Sequence, residues 1–123
     1  KQTKKNNQVF EIANDNAEGQ VIISGDKKSI DLFKDVLKEK KIKTIPLKVS
    51  APFHCSLMKP AAIEMTDKID NTTFQPPKVN IVSNVTSHVE DNPEKIKKLL
   101  VQQIYSTVRW RESLINMAKK KCQ

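Results

Sequence analysis

The chain predicts a mixed α/β (α+β) fold, and two patterns predict it. Short β-branched runs alternate with longer stretches whose apolar residues recur at helical spacing. Clusters of Asn, Asp, Gly and Pro separate them, with no internal repeat or low-complexity tract. With 123 residues there is enough chain to bury one core and too little for two independent ones.

Taken in order, residues 1–7 are polar and expected to fray. The runs 9–13 and 20–24 are strand-like, and the intervening 14–19, with its Asn, Asp and Gly, is expected as a longer hairpin loop. Asp26 is placed to cap a helix in which Ile30, Phe33 and Leu37 form one apolar face. Ile45, Leu47 and Val49 alternate with polar residues and predict a half-buried strand, which Pro46 makes an edge or interrupted one. A second helix opens near Ser56, tolerates Pro60 in its first turn, and presents Met58, Ala62, Met65 and Ile69 as its core stripe. After the break at Pro76-Pro77, Val79, Ile81, Ser83 and Val85 predict another strand. Asn92-Pro93 opens a third helix with Ile96, Leu99, Leu100 and Ile104 on one side. A last helical stretch surrounds Trp110, Leu114 and Met117 and ends in the lysine run 119–121.

Composition narrows the function classes. No apolar run approaches the roughly 20 residues that cross a bilayer, so no membrane partner is expected. Cys55 and Cys122 are far apart and without secretory context, which favours reduced thiols and a cytoplasmic location. The sequons at Asn71 and Asn84 then carry no glycan. No signal-peptide core is visible, and a start at Lys1 without methionine is expected of a chain trimmed from something longer. The net charge of +8 comes almost wholly from lysine, Arg109 and Arg111 being the only arginines. Dispersed lysine attracts acidic partners at long range but reads base edges poorly, and aromatics at 5% offer little stacking, so nucleic acid ranks low as a partner. A solvated lysine-rich surface without a specific ligand explains the charge equally well.

The chemistry concentrates in residues 50–60, Ser-Ala-Pro-Phe-His-Cys-Ser-Leu-Met-Lys-Pro, where His54 sits on a short loop between a strand-like run and a helix. An imidazole exchanges its proton near neutrality, which suits a general base. Bare of its flanks, a loop histidine is more often solvated or structurally bonded. His88 is expected as an exposed loop residue. His54, Cys55, His88 and Cys122 lack zinc spacing, so no metal is expected. Cys55 reads as packing, because neighbouring side chains on an extended loop diverge and cannot pair as nucleophile and base.

Four segments in register, 12–25, 47–61, 79–86 and 99–110, together resemble the malonyl-CoA:acyl-carrier-protein transacylases of the fatty-acid-synthesis acyltransferase family. The resemblance runs from about Val9 to Ala118. It implies a ferredoxin-like small subdomain inserted in a hydrolase-like α/β large one, with 1–49 part of the former and 50–123 part of the latter. It further implies that His54 is the general base and that the main-chain carbonyl of Gln103 orients it. Asn14 and Asn16 match residues of the small subdomain that face the substrate cleft. The implied substrate is malonyl-CoA, with no cofactor, and the implied partner is acyl carrier protein, towards whose negative helix the lysines would steer.

The departures are specific. Glycine occurs only at Gly19 and Gly25, so no G-x-S-x-G elbow exists in the chain. Neither Arg109 nor Arg111 falls where the family's malonyl-binding arginine lies. The nucleophile serine and that arginine are expected upstream, which makes this a C-terminal portion, inactive alone and needing either the missing N-terminal part or self-association to cover its faces. The alternatives are a split or decayed acyltransferase piece serving binding or assembly and, below it, a basic nucleic-acid-binding domain.

Overall fold

The computed structural model describes residues 8–120, so the frayed segment expected at 1–7 and Cys122 lie outside the described residues. Strands β1 (Phe10–Ala17) and β2 (Gln20–Gly25) form an antiparallel hairpin with Phe10 opposite Gly25 and Ala17 opposite Gln20. The expected loop at 14–19 is thus mostly strand. Residues 14–17 continue β1 through two register shifts, and Glu18-Gly19 alone makes the turn, Gly19 at φ 76. Gly25 has a separate reason to be glycine, because a Cβ there would lie 2.0 Å from the Val9 carbonyl oxygen.

Helix α1 (Lys27–Glu39) begins as expected at Asp26, whose carboxylate accepts from the Ser29 amide and hydroxyl and from the Val9 amide at 2.7 Å. Its Ile30, Phe33 and Leu37 face is half-buried, with the Phe33 ring 4.1 Å from that of Phe10 on β1. The strand expected at 44–49 does not form. Residues 42–49 form no regular element and are exposed, Ile45 at 71% and Val49 at 61%. The alternation marks a two-faced segment, but a strand also needs a neighbour to hydrogen-bond, and among the described residues none lies alongside.

After the histidine loop, a 3₁₀ turn (Ser56–Met58) leads into α2 (Lys59–Asp70), with Pro60 in its first turn. The core stripe shifts from the expected one. Ala62 is buried and Thr66 and Ile69 half-buried, whereas Met65 is exposed, because α2 packs chiefly on α3 through its Ala62 side. The strand expected from Val79 to Val85 shrinks to β3 (Ile81–Val82), paired with β4 (Val89–Glu90). Asn92 caps α3 (Pro93–Gln102) through the Lys95 amide, and Leu99 is its buried residue. In α4 (Trp110–Lys119) the buried position is Ser113. Trp110 and Leu114 are exposed because the helix turns its Ser113 and Asn116 side inward.

The two expected portions of the chain pack together. Asn14 bridges Val108 in parallel, the Asp15 amide donates to the Val108 carbonyl at 3.0 Å, and Arg111 pairs with Asp15 at 2.7 Å. Among the described residues no helix is long and apolar enough to cross a membrane.

Candidate active site

The loop carrying His54 is held from both sides. Behind it, the Phe53 amide donates to Ala51 O, and the fully buried Cys55 directs its thiol to Pro52 O at 3.1 Å, the packing role expected of it. Ahead of it, the Glu11 carboxylate on β1 accepts from the Ser56 amide at 2.9 Å and from the Ser56 hydroxyl. His54 between them adopts φ 58, a left-handed conformation that costs a residue with a Cβ about 1–2 kcal/mol. Such strain persists only where the surroundings over-determine it.

The partner of the ring follows from how α3 ends. The last carbonyls of a helix have no intrahelical donor. Gln103 is the C-cap of α3, its amide still donating to Leu99 O at 2.9 Å while its own carbonyl lies beyond the ladder. That carbonyl lies 2.8 Å from His54 Nδ1. A carbonyl can only accept, so Nδ1 carries the hydrogen, and the neutral ring keeps its lone pair at Nε2. Chemically this is an imidazole in a fixed tautomer, able to accept a proton at Nε2. The half-buried His54 lines neither of two shallow hollows, one between α2 and α3 at Ala62 and Tyr105, the other beside Ser87 and Asn116.

The structure therefore brings His54 and Gln103 together across 49 positions of sequence. Asn14 and Asn16 are half-buried on β1, the strand that touches the segments bearing both. His88 is exposed, with Nδ1 2.6 Å from Thr86 O. Both arginines are engaged internally. Arg109 grips Glu112 at 2.6 and 2.7 Å and reaches Val85 O and Thr86 O, which holds the Glu112 carboxyl below its ordinary value. Asp15 in turn raises the Arg111 guanidinium above its own. Among the described residues no cluster of three or more His, Cys, Asp or Glu could hold a metal ion. Glu11 escaped the sequence reading. Its only mark there is being the one acid in an otherwise apolar strand start, and its contact spans 45 residues.

Solved structures sharing this fold define its class as acyltransferase. The acyl carrier protein S-malonyltransferase of Vibrio cholerae superposes with a TM-score of 0.88 at 38% identity, over 94% of this chain and 38% of that one. A malonyl-transacylase in complex with a type II PKS acyl-carrier protein gives 0.88 at 35% identity, over 94% of this chain and 38% of that one. No family model matches the chain. Among curated sequences, the malonyl CoA-acyl carrier protein transacylase of Bacillus subtilis is 41% identical over 115 residues, 93% of this chain. The chain belongs to the malonyl CoA-acyl carrier protein transacylase family, and it spans only about 36% of that relative's length.

Proposed function

We propose that this chain is the base-bearing portion of an enzyme that moves malonyl from coenzyme A to acyl carrier protein, and that it is inactive without the rest of the fold. Its two portions divide at about residue 50, between part of a ferredoxin-like subdomain and part of the large one. The observation that carries the proposal is the 2.8 Å contact between His54 Nδ1 and the Gln103 carbonyl, which leaves Nε2 as the proton acceptor.

The reaction then runs in two symmetrical halves. A serine hydroxyl supplied from outside this chain attacks the thioester carbonyl while His54 Nε2 takes its proton. The C–S bond breaks, coenzyme A leaves as the thiol with that proton, and malonyl remains as a serine ester. The carrier's thiol next gives its proton to Nε2 and attacks the ester, and the imidazolium returns the proton to the serine oxygen. The Gln103 carbonyl keeps the ring oriented through both halves, and Asn14 and Asn16 border the cleft from β1.

The test is a chimaera in which residues 8–120 replace the homologous stretch of the Bacillus subtilis relative. Malonyl transfer by the chimaera, its loss by about 10²–10⁴-fold in His54→Ala, and no transfer by the chain alone are the expected results. A folded chimaera indifferent to His54→Ala sinks the proposal.

A further inference from the structure

The His54–Gln103 contact is assembled by a strand that belongs to neither residue. From β1, Glu11 reaches the start of the 3₁₀ turn, where the first amides of a helical stretch lack partners and favour an anion. The N-cap there, Cys55, offers no side-chain hydrogen bond to the amides of the turn, and Glu11 supplies the cap from across the fold through the Ser56 amide at 2.9 Å and the Ser56 hydroxyl. Two positions back lies His54 at φ 58.

The same strand holds the other half of the pair. Thr107 Oγ1 donates to Ile12 O at 2.6 Å, and the Val108 amide donates to Ala13 O at 2.8 Å, both just downstream of Gln103. The peptides next to Glu11 thus fix the carbonyl side of the contact, while the Glu11 side chain fixes the imidazole side.

We infer that Glu11 is a positioning residue for His54: its carboxylate pins Ser56, holds the histidine backbone in its left-handed conformation, and thereby keeps Nδ1 against the Gln103 carbonyl. Without that clasp the Ser56 amide is left unpartnered, the backbone at His54 relaxes towards negative φ, and the ring swings away from its acceptor. The two tautomers then interchange, and only a fraction of rings presents a bare Nε2. The geometric statement stands on the structure, and its catalytic meaning rests on the proposed role of His54.

The experiment is ¹⁵N NMR of the histidine rings in the full chain and in the chimaera. A ring held with hydrogen on Nδ1 gives two well-separated nitrogen resonances, whereas exchanging tautomers draw them together. His88, whose own Nδ1 meets Thr86 O at 2.6 Å, is the internal reference. In Glu11→Ala the His54 resonances converge and those of His88 stay apart. Glu11→Gln, which keeps one acceptor for the Ser56 amide, restores most of the separation. Ser56→Ala deletes only the hydroxyl contact and moves His54 the same way by less, so it carries the test if Glu11→Ala does not fold. In the chimaera, Glu11→Ala lowers kcat on the order of 10- to 100-fold with little change in KM. Unmoved His54 resonances in a folded Glu11→Ala, or in Ser56→Ala, overturn the inference. Converging resonances in Glu11→Ala, alongside a chimaera still active as His54→Ala, leave the inference intact and sink the catalytic reading instead.

Discussion

At the scale of single residues, the proposed site works through atoms that side-chain chemistry does not advertise. Gln103 contributes a peptide carbonyl, so its side chain is expendable. Gln103→Ala in the chimaera is expected to leave malonyl transfer nearly unchanged, and a loss approaching that of His54→Ala would assign the role to the amide instead. This is why the residue was visible only through family resemblance: nothing in a glutamine near a helix end marks its backbone. Glu90 shows the ordinary counterpart, a buried carboxylate at 4% exposure. Burial pushes its carboxyl upward, but hydrogen bonds from Lys95 at 2.6 Å and Thr86 at 2.8 Å outweigh that and hold it below the ordinary 4.5. Lys95→Ala is expected to raise the Glu90 pKa in a carboxyl ¹³C titration. It should also destabilise the chain by about 1 kcal/mol, a modest figure because the lysine is itself more than half exposed.

At the scale of elements, Asp26 ties the hairpin to α1, and its charge state can be read out by pH. Hydrogen bonds from the Ser29 hydroxyl and amide and from the Val9 amide lower its pKa from 3.8 to about 2. A carboxyl depressed in the folded state stabilises above its unfolded pKa and loses that contribution as pH falls through the folded one. Asp26→Ala should therefore melt several degrees below the parent at neutral pH, with the gap closing between about 4 and 2 in circular-dichroism melts. A gap that persists at pH 2 would show the loss to be unrelated to ionisation. Elements of this kind were legible in sequence, because a cap and a helical stripe are local. Asp26 with Ile30, Phe33 and Leu37, and Asn92 with Leu99, needed no knowledge of the rest of the fold. The unpaired segment 42–49 and the exposed Met65 were not legible, because period alone records two-facedness and leaves open whether anything lies against the apolar side. The Glu11 clasp was hidden for a related reason, its two ends being brought together only by folding.

At the scale of the whole molecule, the apolar surface left open decides how the chain behaves alone. Both sheets among the described residues are two-stranded, an arrangement marginal in water unless something covers it. Ile45, Leu47 and Val49 expose more than half of their surface along one segment, and Val79 exposes 75%. An exposed apolar segment that pairs with no strand among the described residues is a template for pairing with another copy. Pro46 and the lysines at 43 and 48 blunt it without removing the apolar face. Self-association through 42–49 is therefore expected, with light scattering rising above the 14.0 kDa of a single chain as concentration increases. Burying an aliphatic side chain contributes about 1.5–3 kcal/mol, and 1.4 kcal/mol is about tenfold in affinity. Replacing Ile45 and Val49 together with lysine should accordingly weaken association by about 100-fold or more, while the hairpin and α1, which make no use of these side chains, keep their circular-dichroism signal. A parent chain that stays at 14.0 kDa over a hundredfold dilution and melts in one sharp transition would show that the open faces are tolerated in water and drive no association.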